Sequence, residues 1–230
     1  MNFRRLSFFF FVVTFIVSCT SNDSPNGRNV DPDSFYFDYR VTGDEDAGYV
    51  TVRLQYKVGD PAGPAVMLQN PGKVELDGTP FKADSTKMNG FYYELTRPVK
   101  EFTGHHTIVF TNRRGKQYRE EFDFQPISMK QVLPAVINRG DLSFDIDGLA
   151  AEDYVKVMLS DTVRFSAGID RVDTVKNGHV IITKEDLEKL ANGPVNLAIS
   201  RELERLINNG TRRGGRLYIS YEVKREFELR

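Results

Sequence analysis

Val50-Thr51-Val52-Arg53-Leu54-Gln55-Tyr56-Lys57-Val58 places an apolar residue at every second position for nine residues. Thr51, Arg53, Gln55 and Lys57 fill the positions between. Successive side chains of a strand point to opposite faces, so this stretch describes a strand with one buried face and one wet face. Antiparallel sheets produce such alternation, whereas strands covered on both faces read as continuous apolar runs.

The pattern extends outward. Upstream, Phe35, Phe37, Tyr39 and Val41 share one face of a second alternating run. Downstream, Lys73–Leu76, Phe91–Leu95, Thr107–Thr111 and Gln117–Phe124 read as further strands. Gly59-Asp60-Pro61 and Asp77-Gly78 separate strands with turn-forming residues. Asn112-Arg113-Arg114-Gly115-Lys116 reads as a hairpin loop. About seven short strands in about 95 residues fit an immunoglobulin-like sandwich. Pro126 closes this unit, and the stretch after it loses clean alternation.

Strands resume at Leu142–Ile146, Tyr154–Leu159, His179–Ile182, Val195–Ser200 and Arg216–Val223, the last continuing toward Leu229. Thr183 to Leu190 reads as a short helix, with Thr183 as its N-cap and acids in its first turn. The two halves end alike. Thr111-Asn112-Arg113-Arg114-Gly115-Lys116 is echoed by Thr211-Arg212-Arg213-Gly214-Gly215-Arg216, and Glu121-Phe122-Asp123-Phe124 by Glu226-Phe227-Glu228-Leu229. Tandem copies of one sandwich explain the echo, and so does convergent hairpin composition. The expected fold is all-β, two tandem immunoglobulin-like antiparallel β-sandwiches spanning 31–126 and 127–230.

At the N-terminus, Arg4 and Arg5 precede an uncharged apolar stretch, Leu6 to Val17. Its dozen or so residues suit the core of a signal peptide. They fall short of the ~20 apolar residues that a spanning helix needs. Ile16-Val17-Ser18-Cys19 resembles the lipobox of bacterial lipoproteins. The resemblance implies cleavage after Ser18, removal of residues 1–18, and acylation of Cys19. Cys19 is the chain's single cysteine, which leaves no intramolecular disulfide and gives the lone thiol a role. Residues 19–30 then form a tether rich in Ser, Asn, Asp, Pro and Gly, with little to bury. Thr20 after the cysteine resembles the sorting pattern of outer-membrane lipoproteins, with periplasmic face and cell surface both open.

Part of the second half resembles a β-sandwich segment of Bacteroidetes-type envelope lipoproteins. The matching residues are Val180-Ile181-Ile182-Thr183, Asp186-Leu187, Gly193-Pro194-Val195 and Ser200-Arg201. The resemblance covers about 40 residues and implies fold and location, but no reaction.

Loss of Arg4 and Arg5 with the signal peptide leaves 29 basic against 32 acidic side chains, about −3 net. That near-balance lacks the basic excess of a nucleic-acid binder, so no nucleic-acid partner is expected. Trp is absent, which weakens a sugar-stacking reading of Tyr36, Tyr92, Tyr93 and Tyr118. No nucleophile-elbow, zinc-protease, P-loop or dinucleotide motif is present. No cofactor and no catalytic residue is therefore assigned.

Asp44-Glu45-Asp46 is a calcium candidate by oxygen chemistry, and so is Asp145-Ile146-Asp147 with Asp141. Neither has the spacing of a 12-residue calcium loop, and a solvated loop explains each. His105 and His106 are adjacent, so on a strand they point apart and do not share a metal. Arg139-Gly140-Asp141 spells a tripeptide known from adhesion, at a length that says little. Arg113, Arg114, Arg212 and Arg213 are expected on hairpin tips, where guanidinium groups suit carboxylate or phosphate ligands.

The expected function is a non-catalytic, lipid-anchored envelope module that binds or scaffolds a protein or glycan partner. Two alternatives stay open. One is a hydrolase whose residues converge at the junction of the two halves, and the other is a structural spacer.

Overall fold

The computed structural model describes residues 30–230. The expected signal peptide, its cleavage site and Cys19 lie outside the described residues. β1 (Phe35–Asp44) and β2 (Tyr49–Val58) pair antiparallel, Phe35 opposite Val58 and Gly43 opposite Val50. Val50, Val52, Leu54 and Tyr56 are all fully buried, as the alternation requires.

β3 (Lys73–Leu76), β4 (Thr79–Pro80), β5 (Lys82–Thr86) and β6 (Gly90–Pro98) follow. A single helical turn, α1 (Val99–Phe102), leads into the hairpin β7 (Gly104–Thr111) and β8 (Gln117–Phe124). β4, β3, β7 and β8 make a four-stranded sheet that faces β6, β2 and β1. Aromatic rings join the two layers. Phe37 of β1 meets Phe110 of β7 edge-on at 5.3 Å and Tyr118 of β8 edge-on at 5.6 Å. Tyr39 and Tyr56 are buried too, and their hydroxyls lie 3.2 Å apart, each the other's partner. Burial pushes both phenols above their ordinary range.

The second half contains β9 (Ser128–Met129), β10 (Val136–Ile137), β11 (Leu142–Asp147), β12 (Glu152–Asp161), β13 (Ile169–Lys176) and β14 (His179–Ile182). Then come the helix α2 (Lys184–Glu188) and the long strands β15 (Gly193–Leu206) and β16 (Gly215–Leu229). α2 begins where the sequence places it. Thr183 caps Asp186 N–H and Asp186 returns the bond to Thr183 N–H, a full capping box. β13 was not expected as a strand. Its inward positions carry Arg171 and Asp173, an ion pair at 2.8 Å, so the apolar alternation is interrupted. β5 is exposed at every residue and carries no periodic signal at all.

The fold is all-β and sandwich-like, and its two halves share a sheet. Twelve strands join in the path β5-β6-β2-β1-β16-β15-β12-β13-β14-β11-β9, with β10 added on β16. The N-terminal part of β16 lies parallel to β1, from Phe37–Gly215 to Asp44–Glu222. Its C-terminal part lies in the second half, where Leu229 faces Gly193. The last hairpin therefore belongs to both halves. Gly215 permits the close approach to β1: a Cβ there would sit 2.5 Å from the Phe37 carbonyl oxygen. Only one pair, Lys176–His179, links β13 to β14, and the sheet turns back on itself there.

A buried carboxylate locks the hairpin onto the smaller sheet. Glu120 of β8 is almost wholly buried. It accepts hydrogen bonds from the Arg205 guanidinium and from Asn208 N–H at 2.9 Å, while Arg205 also bonds the Glu121 carbonyl at 2.7 Å. Removing one partner of a buried pair leaves a charge without compensation. Arg205→Ala is therefore expected to cost about 3–5 kcal/mol in urea unfolding. Arg119→Ala breaks the exposed Arg119–Glu121 pair and a long, exposed bond to the Thr107 hydroxyl, and should cost less than ~1 kcal/mol. Equal losses for the two variants would refute the lock.

Candidate binding site

The two arginine-bearing tips meet at one end of the molecule. The β7–β8 turn is built on Asn112, whose side-chain oxygen accepts from Arg114 N–H at 2.8 Å and Lys116 N–H at 3.0 Å. The β15–β16 loop is pinned by Thr211, whose hydroxyl donates to the Phe35 carbonyl. Between the tips runs a short 3-10 turn, Pro32–Ser34, the first element of the described chain. Asp31 takes Arg114 and Arg212, each at 3.3 Å, and Asp33 takes Lys116 at 3.5 Å and the Tyr118 hydroxyl. Tyr118's hydrogen bond, helped by Lys116 and Arg114, holds the Asp33 carboxyl below its ordinary value. The pairing of β1 with β16 thus brings the tip bearing Arg113 and Arg114 and the tip bearing Arg212 and Arg213 to the first described element, where Asp31 takes both Arg114 and Arg212.

The opposite end displays an apolar loop. β16 runs from beside Phe37 to beside Gly193, and its 15 residues extend about 45–50 Å at ~3.3 Å per residue. The loop joining β12 to β13 lies at the far end, since Asp161 pairs Val195 and Val195 pairs Phe227. Asp161 organises this loop by accepting from Ala191 N–H at 2.8 Å, Val163 N–H at 2.9 Å and the Ser166 hydroxyl at 2.9 Å. The first two of these bonds are the main cause of a lowered Asp161 carboxyl pKa. On the loop, Phe165 is 89% exposed with a left-handed φ of +68°, and the Arg164 guanidinium lies 4.8 Å from its ring centre. A non-glycine residue held at positive φ carries strain that the surrounding bonds must maintain.

The outer face of the long sheet carries a charged cluster. Asp38 is 1% exposed and takes Lys57 at 2.8 Å, Arg216 at 3.0 Å and Arg40 at 3.4 Å. It borders a cleft of about 450 Å³ that also touches Arg53, Gln55 and Asn89. Burial raises the Asp38 carboxyl, but the bonds from Arg216 and Lys57 outweigh it and hold the pKa at about 2. Farther along the same face, Tyr154, Met158 and Val172 are exposed together, because Lys156 pairs Val172 and Met158 pairs Asp170. These outward residues were legible as the off-phase members of the Val155-Val157-Leu159 alternation.

Other sequence candidates are engaged locally. Asp44 accepts Ala47 N–H at 2.6 Å, and Glu45 pairs Arg225 at 2.5 Å. Asp145 bonds His179 at 2.9 Å, Asp147 pairs Lys130 at 3.0 Å, and Asp141 takes Lys184 N–H at 2.8 Å. Among the described residues no three His, Cys, Asp or Glu side chains are grouped to hold a metal. His105 and His106 do point apart. His105 is exposed beside Asp123, whereas His106 stacks on Phe102 at 3.9 Å and bonds Asp77 and the Phe102 carbonyl. The Arg139-Gly140-Asp141 tripeptide clamps α2. Arg139 binds the Leu187 and Leu190 carbonyls at the helix end, and Asp141 binds its first turn. Tyr92, Tyr93 and Tyr118 are buried.

At the junction of the halves, a cleft of about 510 Å³ lies among β8, β15 and β16. Its charged side chains have partners: Glu121 with Arg119, Asp123 with His105, Arg201 with Asp153, and Arg205 with Glu120.

No family model matches the chain, and no curated protein matches it. Solved structures do resemble it. A 1.5-MDa bacterial ice-binding adhesin shares 13% identity over 87% of this chain at a TM-score of 0.26, and this chain spans 65% of that one. The IG1 and IG2 domains of DIP-gamma share 9% identity over 82% of this chain and 96% of that one, with a TM-score of 0.24. A Bacteroides ovatus mixed-linkage glucan utilization protein, SGBP-B, shares 12% identity over 76% of this chain and 53% of that one, with a TM-score of 0.19. Nothing about binding or partners is carried over from them.

The Asp38 cluster makes stability depend on acid. Its folded pKa of about 2 lies below the ~3.9 of an unfolded Asp. The contribution is therefore complete above pH ~4 and lost as pH falls through about 2. Asp186, also held at about 2, behaves alike: burial raises its carboxyl, and Arg171 and Lys189 outweigh that. Asp38→Asn should cost about 3 kcal/mol at pH 7 and flatten the acid limb of stability between pH 5 and ~2. Denaturant titrations across that range decide it, and an unchanged acid limb would sink the assignment.

Proposed function

We propose that the protein is a lipid-anchored cell-envelope lipoprotein acting as a non-catalytic binding or scaffold module for a protein or glycan partner. Cys19 carries the lipid after cleavage behind Ser18, and the tether of residues 20–30 joins it to the sandwich. Two or more acyl chains, at about 0.8 kcal/mol per buried methylene, hold such a protein on the membrane durably.

The observation that carries the binding role is the display of Arg164 and Phe165. A phenyl ring 89% exposed, flanked by Arg164 on a loop fixed by Asp161, offers an apolar contact that the described residues leave largely uncovered. Aromatic and arginine side chains dominate the energetics of binding interfaces. The pair sits at the end remote from the tether, where a partner beyond the membrane meets it first. The hydrolase reading places its residues at the junction cleft, whose charged groups are each already paired with a residue outside it.

Two measurements test the proposal. Wild type should carry acyl mass on Cys19 and partition into detergent, and Cys19→Ala should do neither. Soluble, unacylated wild type would reject the anchor. For the partner, a photo-crosslinking residue in place of Phe165 should yield a defined adduct in intact cells. The same residue in place of Met88, 95% exposed elsewhere on the molecule, should not. Adducts at neither position, with unchanged phenotype for Phe165→Ser, would leave a spacer in place of a binder.

A further inference from the structure

We infer that the open edge of β8 receives an extended segment of a partner protein, which adds to the smaller sheet as a fifth strand. This goes beyond the display of Phe165 and holds with or without a lipid on Cys19.

The smaller sheet ends at β8. Phe124 of β8 meets Tyr221 edge-on at 5.9 Å, so the sheet stops above β16. Leu203 of β15, the next strand of the large sheet, shows the consequence. It is in phase with the buried Val195, Leu197 and Ile199 and so faces inward, yet it stays 46% exposed. Its cross-strand partner Ile219 is buried, and so is Tyr221. These three side chains floor the cleft of about 510 Å³, between the β8 edge at residues 121–125 and the β11–β12 loop at residues 148–150.

The edge itself offers main-chain groups. Asn112 N–H bonds the Lys116 carbonyl at 2.9 Å and keys the β7–β8 ladder. Bonded couples recur at every second residue of an antiparallel pair. Tyr118, Glu120, Phe122 and Phe124 therefore turn their main-chain groups toward β7, and Arg119, Glu121 and Asp123 turn theirs outward. Arg205 takes the Glu121 carbonyl at 2.7 Å, which confirms the phase. Among the described residues nothing bonds the Glu121 N–H or either main-chain group of Asp123. A row of unpaired main-chain groups is a template for another strand.

The surroundings define that strand. Leu203, Ile219 and Tyr221 call for apolar side chains at alternate positions, facing the floor. The positions between them face the outer side of β8. There Glu121 already holds Arg119, whereas Asp123 has only His105 at 3.0 Å and keeps 83% of its side chain in solvent. A lysine or arginine beside Asp123 completes a cross-strand pair. The occupant is thus an extended segment that alternates apolar and basic residues.

The probe is the synthetic peptide Lys-Val-Lys-Val-Lys-Val-Lys, with Ser in place of Val as its control, added to the full-length protein. Hydrogen exchange at the Glu121 and Asp123 amides should slow by about tenfold with the valine peptide. The serine peptide should leave it unchanged. Asp123→Pro removes an outward N–H and no bond to β7, a place where an edge strand accepts proline. It should weaken binding about tenfold. Leu203→Asn should weaken it severalfold, and it keeps the test open should the proline variant fail to fold. No binding up to ~1 mM peptide, or binding that leaves the two amides unprotected, overturns the inference. So does wild-type affinity in folded Asp123→Pro and Leu203→Asn. Protection of the same amides without peptide, lost on dilution, would make the occupant a second copy of this chain and reject a foreign strand.

Discussion

The ladder between β15 and β16 is the constraint on which the rest of the molecule depends. It runs unbroken from Gly193–Leu229 to Leu206–Arg216. Each end is bonded to a different half: β16 to β1 in the first, β15 to β12 in the second. A strand shared by two layers of core cannot shift by one residue without turning both sets of apolar side chains outward. Leu217, Ile219, Tyr221, Val223, Phe227 and Leu229 are all buried along one face of β16, in a core that both halves share.

That arrangement explains where the polar bonds have been placed. Glu120 is buried because the hairpin closes over β8, and it is tolerable because Arg205 and Asn208 satisfy it. Asp38 is buried because β1 is flanked by β2 and β16, from which Lys57 and Arg216 reach it. Both carboxylates sit where separate parts of the chain meet. Both therefore specify pairing as well as stabilise it.

The same geometry gives the molecule two unlike ends. A hairpin that crosses both halves puts its turn, with Arg212 and Arg213, beside the first element of the chain, and its open end beside the β12–β13 loop. Basic groups gather at the one and an uncovered Phe165 stands at the other.

The sequence by itself determined the class of fold, most strand positions and the helix cap, because these depend on local periodicity and on side chains within three or four residues. Lys73–Leu76, Gln117–Phe124 and His179–Ile182 fold with the boundaries read from alternation. It also marked the arginine pairs as hairpin tips, from the glycine that follows each. Tertiary structure alone decided that the two tips are neighbours, since that follows from the parallel pairing of β1 with β16 across some 180 residues of chain. It alone decided that Arg171 and Asp173 face inward on β13, where Arg171 also pairs with Asp186 of α2. It also revealed Arg139 and Asp141 as a clamp on α2. Such assignments depend on which groups of separate elements come within bonding distance, and no local pattern of residues encodes that.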